Sequence, residues 1–331
     1  VPELSLDPVA FCLEDLLDRE VMFSEDCISD DAIGLSQQML PREVHLLENL
    51  RFHKGETEND PVFSAYLAEH ADIYINDAFG TAHRSHASNM GVSAIINETA
   101  IGFLMEKELK YLGDTMKTPE QPCVVILGGA KIGDKITLIH NLMEKADAIL
   151  IGGAMAFTFL KVQGKNVGAS LIDQGNLNTA EDILSLAEKT NTNIVLPVDV
   201  VAGPKLSDDA TWRIAKLDQL KTGEAGYDIG PETTMEFEMI LSNAKTIFWN
   251  GPLGVSEIPA FSTGTQAIAS AVIDQTEEGA ISIIGGGDTA SALKQYGLEG
   301  GFTHISTGGG ASLQLMSGKQ LPALEALQEY A

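Results

Sequence analysis

Eight short apolar runs, rich in β-branched residues, recur along this 331-residue chain and limit the folds open to it. Each run ends in a glycine-rich or polar corner, and a helical pattern follows. Continuous apolar strands that alternate with helices are typical of a parallel sheet covered on both faces. We therefore predict an α/β protein built from doubly wound, Rossmann-like parallel sheets. The predicted strands are Val44–Leu47, Ile73–Ile75, Val124–Leu127, Ala148–Ile151, Ile194–Leu196, Thr246–Trp249, Ile281–Ile284 and Thr303–Ile305.

Two helical segments organise the chain around these strands. Ser5, Asp7 and Pro8 form a helix-start pattern, because a short polar side chain caps free amides and proline suits the first turn. A second helical segment, over residues 102–116, separates the first two predicted strands from the other six, and a proline-containing break follows it. This pattern predicts an interdomain helix at 102–116, with one domain over residues 1–101 and another that starts directly after the helix.

The charge of the chain excludes two classes of partner. Asp and Glu number 47 against 21 Lys and Arg, a formal net charge of −26, while 44% hydrophobic residues suffice for a full core. Nucleic acids and anionic membrane surfaces would repel such a chain. The longest membrane-like stretch, Ala148–Leu160, has only 13 residues, whereas a membrane-spanning helix needs about 20. We predict neither a nucleic-acid nor a membrane partner, but a small anionic ligand needs only a local positive site.

The three cysteines, Cys12, Cys27 and Cys123, include no CxxC pair. An odd number without that spacing argues against a disulfide framework and against a zinc site. The first residues contain neither a basic region nor an apolar stretch of the kind that directs secretion. We therefore predict reduced, buried thiols in a cytoplasmic protein.

Four corners place paired or tripled glycines directly after a predicted strand. Glycine lets backbone amides approach an oxyanion closely, and a following helix N-terminus adds partial positive charge. One such corner can merely close a tight turn, but several on one sheet edge favour a phosphate-rich ligand. The corners are Gly128-Gly129, Gly152-Gly153, Gly285-Gly286-Gly287 and Gly308-Gly309-Gly310.

Neither of two familiar phosphate motifs fits these corners fully. Residues 128–135 read GGAKIGDK, which has the glycine spacing of a P-loop but lacks its Lys-Ser/Thr ending. Gly285-x-Gly287-x-x-Ala290 matches the dinucleotide fingerprint, yet no acidic residue stands about 20 residues further on. Asp288 inside this loop would repel a pyrophosphate unless a cation accompanied it, which indicates Mg²⁺. The alternative is that Asp288 simply caps the helix that follows.

Side chains at other corners could also meet phosphate or ribose. Lys131 and Lys135 are four residues apart and would share one face of a helix start, where lysine is unfavourable unless an anion lies between them. Asn250 offers an amide beside a rigid Gly-Pro turn, and Glu257 could accept a hydrogen bond from a ribose hydroxyl, although a lone surface Glu is usually just solvated.

The first part of the chain offers arginines rather than a nucleophile. Arg51 and Arg84 each follow a predicted strand on one sheet edge, and a planar guanidinium suits carboxylate or phosphate. Each of them alone would more often be a surface ion-pair partner. His83 and His86 flank Arg84, but a metal there would need further ligands. The sequence has no GxSxG motif, so the chemistry it implies is positioning and charge neutralisation, as in direct phosphoryl transfer.

These corners closely resemble the motifs of the phosphoglycerate kinase family. Ten stretches run in family order over the whole chain, which is far more specific than any single glycine loop. They are LLENLRFHKGE (46–56), DAFGTAHRSHAS (77–88), GFLMEKEL (102–109), LGGAKIGDKI (127–136), GGAMAFTFLK (152–161), LPVDVV (196–201), DIGP (228–231), WNGPLGV (249–255), IGGGDTASAL (284–293) and HISTGGGAS (304–312).

The resemblance implies a monomer of two α/β domains around a hinge. The N-terminal domain, residues 1–101 with 316–331, would bind 3-phosphoglycerate or 1,3-bisphosphoglycerate. The C-terminal domain, residues 117–315, would bind Mg-ADP or Mg-ATP. The implied reaction is the glycolytic and gluconeogenic transfer of a phosphoryl group between the acyl phosphate and ADP, reversibly. Domain closure would align the ligands and exclude water.

The resemblance also implies roles for individual residues. Arg51 and Arg84 fall on positions that bind the phosphoglycerate, and Asp288 on the position linked to Mg²⁺. The residues that would act on the transferring phosphoryl group are Lys131, Gly308, Gly309 and Gly310. The residues that would meet the nucleotide are Gly129, Lys135, Gly153, Asn250, Pro252, Val255, Glu257, Gly285, Gly286, Gly287, Asp288 and Thr289.

One departure from the family concerns the start of the sequence. The family opens with two strands whose corners carry an Asp-Phe-Asn triplet, a catalytic arginine and a His-Leu-Gly-Arg stretch, and none of these occurs here. We therefore expect this chain to bind nucleotide but to turn over poorly, as a phosphoglycerate kinase seen without its N-terminal segment. Two alternatives remain: a non-catalytic nucleotide-binding protein, and an NAD-dependent dehydrogenase that uses residues 285–290.

Overall fold

The computed structural model describes residues 2–207, 209 and 211–328. The chain divides between Glu106 and Lys107, and again between Lys319 and Gln320, into two compact units. Unit 1 joins the N-terminal part to the last residues, and unit 2 is the middle of the chain. The sequence places these boundaries at the edges of residues 102–116 and at residue 316, so the division lies inside the predicted interdomain helix. No helix in the described ranges has the length and apolar character that crossing a membrane requires.

Thirteen strands lie within the described residues, and they include all eight predicted ones with ends shifted by no more than one residue. The strands are β1 (Val21–Ser24), β2 (Val44–Leu47), β3 (Ile73–Asn76), β4 (Glu98–Ile101), β5 (Cys123–Leu127), β6 (Ala148–Ile151), β7 (Asn193–Val195), β8 (Asp199–Gly203), β9 (Arg213–Lys216), β10 (Ala225–Ile229), β11 (Thr246–Asn250), β12 (Ile281–Gly285) and β13 (His304–Ile305).

The helices of the described residues follow the strands in alternation through most of the chain. They are α1 (Asp7–Leu17), α2 (Asp30–Gln37), α3 (Lys54–Glu58), α4 (Pro61–Ala68), α5 (Phe103–Glu108), α6 (Ile136–Met143), α7 (Met155–Val162), α8 (Leu177–Thr190), α9 (Pro231–Leu241), α10 (Thr263–Glu277), α11 (Gly287–Gln295), α12 (Gly310–Met316) and α13 (Pro322–Gln328). The predicted helix at 102–116 is α5 continued by a π-helical stretch, Leu109–Thr115.

Unit 2 is built on a six-stranded parallel sheet with the strand order β13-β12-β11-β5-β6-β7. These are the last six predicted strands, and every residue of β5, β6 and β11 is buried. The core on one face includes Ile126, Leu150, Trp249, Phe237 and Ile268. Burial on this scale explains why the strands read as continuous apolar runs rather than as alternating ones.

Unit 2 also contains a three-stranded antiparallel sheet, β10-β8-β9, that the sequence analysis missed. Strand β8 begins with the charged residue Asp199, and the apolar run that follows is too short to indicate a strand by itself. The Asp199 carboxylate is buried and accepts hydrogen bonds from the amides of Glu232 (3.0 Å) and Thr233 (2.8 Å) in the first turn of α9. Asp199 therefore caps a helix that is distant in sequence, an arrangement that no local pattern reveals.

Unit 1 corrects two predictions. The strands that precede Arg51 and Arg84 do not share a sheet edge, because β2 pairs with β1 while β3 pairs with β4 in a separate two-stranded parallel sheet. The predicted helix start is corrected in part. Helix α1 begins at Asp7 with Pro8 in its first turn, as predicted, but Leu6 occupies the N-cap. The Ser5 hydroxyl accepts from the Asp7 amide (3.3 Å) and donates to the buried Glu48 carboxylate (2.6 Å).

The cysteines also differ in part from the prediction. Cys27 and Cys123 are buried free thiols, but Cys12 is exposed on α1. Because the buried part of α1 is limited to Ala10, the helical face that carries Cys12 packs only loosely on unit 1.

Candidate active site

The glycine corners of unit 2 lie side by side at one edge of its sheet. Strands β12, β11, β5 and β6 are neighbours and run in parallel, so their carboxyl ends meet at that edge. Ligands of open α/β sheets bind at this edge. The sheet order thus brings together corners that the sequence spreads over residues 128–287.

Three of these corners interlock through their own backbones. The Gly128 amide donates to the Asn250 carbonyl (3.0 Å), that of Gly129 to Pro252 (3.0 Å), and that of Gly153 to Leu253 (2.8 Å). A Cβ on Gly128 would lie 2.0 Å from the Pro252 carbonyl oxygen. The prediction that glycine amides here approach an oxyanion is therefore wrong for the amides of Gly128, Gly129 and Gly153. The glycines let the turns pack against each other and shape the floor of the site.

Lys135 supports this floor rather than pointing freely at a ligand. Its ammonium donates hydrogen bonds to the carbonyl oxygens of Gly128 and Asn250, where β5 and β11 end. Lys131 lies in the loop before α6, so the two lysines do not share the helical face that the sequence predicts. The Lys131 side chain is exposed and forms no ion pair with the described residues.

Helix α11 presents free amides and a free carboxylate at its start. Gly286, with φ of 91°, is its N-cap, and no side chain caps the helix. The interpretation of Asp288 as a helix cap is therefore wrong. The Asp288 carboxylate is exposed and makes no hydrogen bond to the described part of the chain, and the amides of Gly287 and Asp288 have no acceptor there either.

Two polar side chains at this edge, those of Thr289 in α11 and of Asn250 beside it, already contact other parts of the protein. The Thr289 hydroxyl is fully buried, accepts a hydrogen bond from the Gly251 amide (2.7 Å) and donates to the Gly285 carbonyl (3.3 Å). The Thr289 side chain therefore links α11 to the turn after β11, so that only the backbone of Thr289 is available to a ligand. The Asn250 side chain packs against this turn, where a Cβ on Gly286 would lie 2.8 Å from Asn250 Nδ2.

The segment after Asn250 is held by a residue that the sequence analysis missed. The Val255 amide donates to the Tyr227 carbonyl (2.9 Å), and the Tyr227 ring packs on Phe261 at 4.9 Å between ring centres. Ser256 is buried and its carbonyl accepts from the Tyr296 hydroxyl (2.9 Å). Glu257 is exposed and free of hydrogen bonds within the described ranges. Residues 250–257 thus form a fixed wall that ends in a free carboxylate.

The Asp228 carboxylate packs against the same wall, residues 250–257. This buried carboxylate accepts from the amides of Ile229 (2.9 Å) and Gly264 (2.8 Å). Gly254 packs so closely on it that a Cβ there would lie 2.3 Å from Asp228 Oδ1. Burial, which outweighs these two hydrogen bonds, raises the pKa of Asp228 from 3.8 to about 7.

The raised pKa of Asp228 predicts a pH-dependent stability. The folded protein favours the neutral acid, so the contribution of Asp228 to the free energy of unfolding is full below its ordinary pKa and falls as the pH rises towards 7. The expected slope is at most about 1.4 kcal/mol per pH unit. Urea unfolding from pH 5 to 8 should show this slope in the wild type relative to Asp228→Asn. The exposed Asp274→Asn on α10 is the control, and parallel curves for wild type and Asp228→Asn would contradict the assignment.

The second glycine triplet, residues 308–310, is held by a buried ion-pair network. Glu108, fully buried, accepts from His304 Nε2 (2.8 Å) and from the Thr307 amide (2.9 Å). The Tyr111 ring stacks on His304 at 5.0 Å. Burial alone would raise the pKa of Glu108, but the hydrogen bonds from His304 and Thr307 outweigh it and hold the pKa below its ordinary value. The network fixes Thr307 directly before the turn at residues 308–310.

The amides of this triplet are not equivalent. That of Gly308 donates to the Ser306 hydroxyl (3.2 Å), whereas those of Gly309 and Gly310 have no acceptor in the residues described. Gly309 has φ of 50°, a left-handed conformation that suits glycine. Two of the three predicted amides therefore remain available at the start of α12.

In unit 1, Glu56 connects the two arginine corners. It lies in α3, just after the turn that carries Arg51, and is 3% exposed. Its carboxylate accepts from the Ser88 hydroxyl (2.6 Å) and amide (3.0 Å), in the π-helical turn that follows Arg84. Neither guanidinium pairs with a carboxylate among the described residues, although acidic groups outnumber basic ones twofold.

The histidines beside Arg84 form no metal cluster. His86 Nδ1 lies 3.4 Å from Glu56, and His83 has a buried Nδ1 without a hydrogen-bond partner. Burial, with the charge of Arg84 beside it, lowers the pKa of His83. A neutral imidazole next to Arg84 leaves the guanidinium as the main positive charge of this corner.

Comparison with known proteins decides the family. The family model described as "Phosphoglycerate kinase" matches residues 1–319. The chain belongs to the phosphoglycerate kinase family. A phosphoglycerate kinase of Prosthecochloris aestuarii is 50% identical over 99% of this chain and 83% of the relative, and one of Thermosipho africanus is 50% identical over 98% and 81%. The solved phosphoglycerate kinase of Coxiella burnetii superposes with a TM-score of 0.89 at 38% identity, covering 99% of this chain and 82% of that one.

Membership of the phosphoglycerate kinase family confirms the resemblance seen in the sequence. It also confirms the α/β fold class with Rossmann-like parallel sheets and the enzyme class, a phosphotransferase.

Proposed function

We propose that this protein catalyses reversible phosphoryl transfer between 1,3-bisphosphoglycerate and ADP, giving 3-phosphoglycerate and ATP. The observation that carries the proposal is the sheet edge of unit 2. There the Lys131 ammonium, the Asp288 carboxylate and the first amides of α11, all without partners among the described residues, lie around an interlocked glycine floor. Such an edge neutralises phosphate charge without supplying a nucleophile, which is what direct phosphoryl transfer requires.

The nucleotide is proposed to lie across this edge. Gly129, Gly153 and Pro252 would bound the base, with Val255 beside them and the Glu257 carboxylate placed to accept from ribose hydroxyls. The residues proposed to meet the phosphates are Lys135, Asn250, Gly285, Gly286, Gly287, Asp288 and Thr289. Lys135 and Thr289 would act mainly by fixing the turns, since both already bond to backbone.

Asp288 fits a magnesium ion carried by the nucleotide. Its carboxylate is exposed, has no competing donor in the described residues, and projects from the first turn of α11 beside free amides. Mg²⁺ prefers one or two carboxylates together with phosphate oxygens and water. When bound, the ion would neutralise phosphate charge.

The reacting groups of the chain act by positioning and by charge. Lys131 would stay with the phosphoryl group as it moves, since no acidic partner among the described residues holds the ammonium back. The amides of Gly309 and Gly310 would donate to the equatorial oxygens, where negative charge accumulates during transfer. Gly308 would support the turn through its bond to Ser306. No proton transfer is needed, because the attacking carboxylate or phosphate oxygen is already ionised.

The phosphoglycerate is proposed to bind to unit 1 through Arg51 and Arg84. Replacing Arg84 by alanine should raise the dissociation constant of 3-phosphoglycerate about 10- to 100-fold, since it removes charge-assisted hydrogen bonds to an anion. The affinity for Mg-ADP, which binds unit 2, should not change. Calorimetric titration with each ligand separates the two effects, and Arg19→Ala, exposed on the same unit, is the control. Equal weakening of both ligands would contradict the assignment.

Two further properties are proposed from the family and the composition. The protein would act as a monomer on small-molecule substrates, without nucleic-acid or membrane partners, in the cytoplasm. Sedimentation at micromolar concentration tests the monomeric state.

The alternative raised by the sequence, a nicotinamide-dependent dehydrogenase, rests on the match of residues 285–290 to the dinucleotide fingerprint, and membership of the phosphoglycerate kinase family argues against it. The exposed carboxylate of Asp288 in the first helical turn disfavours it, since a pyrophosphate would approach that charge directly. Titration with Mg-ADP and with NAD⁺ distinguishes the two. Binding of Mg-ADP alone supports the kinase, and binding of NAD⁺ alone would overturn it.

A further inference from the structure

Three side chains in unit 1 form a cluster that the proposed reaction does not use. Asp26 and Cys27 follow β1, and His53 ends the turn that carries Arg51. A carboxylate oxygen of Asp26, the sulfur of Cys27 and a ring nitrogen of His53 all lie within 4.8 Å of one another. Within residues 2–207, 209 and 211–328, no other three His, Cys, Asp or Glu side chains come together in this way.

The cluster is both ordered and accessible. His53 Nε2 lies 2.9 Å from Asp26 Oδ1, and its ring packs on Phe63 at 5.4 Å, so the imidazole has one orientation. Cys27 is buried, but the His53 side chain is 32% exposed and the Asp26 side chain 45% exposed. A surface pocket of about 300 Å³, lined by His53 and Asp60 among others, adjoins the ring. An ion can therefore enter from the His53 side, and a water has room beside it.

Simpler interpretations leave Cys27 unexplained. The bond between His53 and Asp26 is a partly exposed ion pair at most, worth about 1 kcal/mol or less, and it does not need a thiol beside it. A reactive thiol is disfavoured because burial, with Asp26 next to it, raises the pKa of Cys27 to about 12. The surroundings are instead negative, with the buried carboxylates of Glu48 and Glu56 also near the sulfur. That field favours a cation.

We propose that Asp26, Cys27 and His53 bind a zinc ion, with water as the fourth ligand. One sulfur, one imidazole nitrogen and one carboxylate oxygen are the donors that Zn²⁺ takes in tetrahedral sites, whereas Mg²⁺ and Ca²⁺ prefer oxygen alone. Binding exchanges the thiol proton of Cys27, which leaves to solvent, for a sulfur–zinc bond. It also replaces the hydrogen bond between Asp26 and His53 by two bonds to the ion, and the proton on His53 Nε2 is exchanged through solvent so that the bound imidazole keeps its proton on Nδ1.

The spacing of the cysteines argues against a zinc site, and the proposal departs from that prediction for Cys27. Spacing rules detect ligands that are close in sequence. Here Cys27 and His53 are 26 positions apart and meet only because β1 and β2 pair in parallel, which brings the segments after both strands to one end of the sheet. The site is independent of the proposed phosphoryl transfer.

The test uses Co²⁺ as a spectroscopic substitute for zinc in the full chain, reduced and freed of metal. A cobalt–thiolate charge-transfer band should appear and saturate near one equivalent, and Zn²⁺ should abolish it. Cys27→Ser should remove the band, while Cys12→Ser and Cys123→Ser, the other two cysteines, should keep it. His53→Ala should weaken Co²⁺ binding by at least about 10- to 100-fold, the loss expected from disturbing a metal site.

Variants of the two partly exposed ligands, His53 and Asp26, keep the test decisive if Cys27→Ser fails to fold. Far-UV circular dichroism identifies that case, and His53→Ala and Asp26→Asn then carry the result, because neither side chain belongs to the buried core. Absence of any thiolate band in the wild type would overturn the proposal. So would a band that His53→Ala leaves unchanged, or one that Cys12→Ser removes.

Discussion

In protein expressed from the complete gene, replacing Lys131 by alanine should lower turnover about 100- to 1,000-fold, the range seen when one group that stabilises transition-state charge is removed. The affinity for Mg-ADP should change much less. The reason is that Lys131 is exposed in the loop after β5 and unpaired within the described residues, whereas the floor of the site is built by Lys135 and the interlocked glycines. A coupled assay gives turnover, and calorimetry gives the nucleotide dissociation constant.

The matched control is Lys189→Ala, which removes an exposed lysine from the last turn of α8. It should leave both turnover and affinity at wild-type values. If Lys131→Ala weakened nucleotide binding as much as it lowers turnover, Lys131 would be a binding residue and the proposed role would be wrong.

Replacing Glu108 by alanine should lower the free energy of unfolding by about 3–5 kcal/mol, the usual cost of removing one partner from a buried ion pair. The variant leaves the buried His304 Nε2 without its acceptor, and it also removes the acceptor of the Thr307 amide, whose residue is exposed. Because Thr307 precedes the 308–310 turn, turnover should fall as well. Urea unfolding measures the stability, and the coupled assay measures the turnover of the fraction that stays folded.

Glu106→Ala is the control for Glu108, because Glu106 is exposed two residues earlier on the same helix. Its effect should stay within about 0.5 kcal/mol. The lowered pKa of Glu108 also predicts a pH dependence of stability. The contribution of Glu108 to the free energy of unfolding is full above the ordinary carboxyl pKa and is lost as the pH falls through the lowered pKa. A Glu108→Ala variant as stable as Glu106→Ala would contradict the role of the network.

The central sheet could be predicted because its strands are buried on both faces. Strands such as β5, Cys123–Leu127, read as continuous apolar runs, and burial leaves no room for other residue types. The strands that were missed give a weaker signal. Strand β4, Glu98–Ile101, is mostly exposed, whereas β8 is fully buried but begins with the charged capping residue Asp199. Their structure depends on partners that lie elsewhere in the sequence.

The site was predictable in its location more than in its contacts. Glycine corners after parallel strands must gather at one edge, so the place of Lys131 and Asp288 follows from the strand pattern. Which amides stay free does not follow. Gly128 and Gly129 use theirs to lock neighbouring turns, whereas Gly309 keeps its amide available. Only the packing of one turn against the next decides this.

Long-range polar contacts could not be predicted from the sequence at all. Glu108 and His304 are 196 positions apart, and neither stands in a pattern that marks it as buried. Asp228 likewise resembles an ordinary acidic residue, yet burial raises the pKa of its carboxyl to about 7. The resemblance identified the family correctly, but the contacts that support its motifs emerge only from the fold.

The most direct test is a coupled assay for Mg-ATP-dependent phosphorylation of 3-phosphoglycerate, on protein expressed from the complete gene and with its N-terminus verified by mass. We predict activity that requires both substrates and that collapses in Lys131→Ala while Mg-ADP still binds. Tight binding of Mg-ADP without any transfer to 3-phosphoglycerate would contradict the account and leave a nucleotide-binding protein without catalysis.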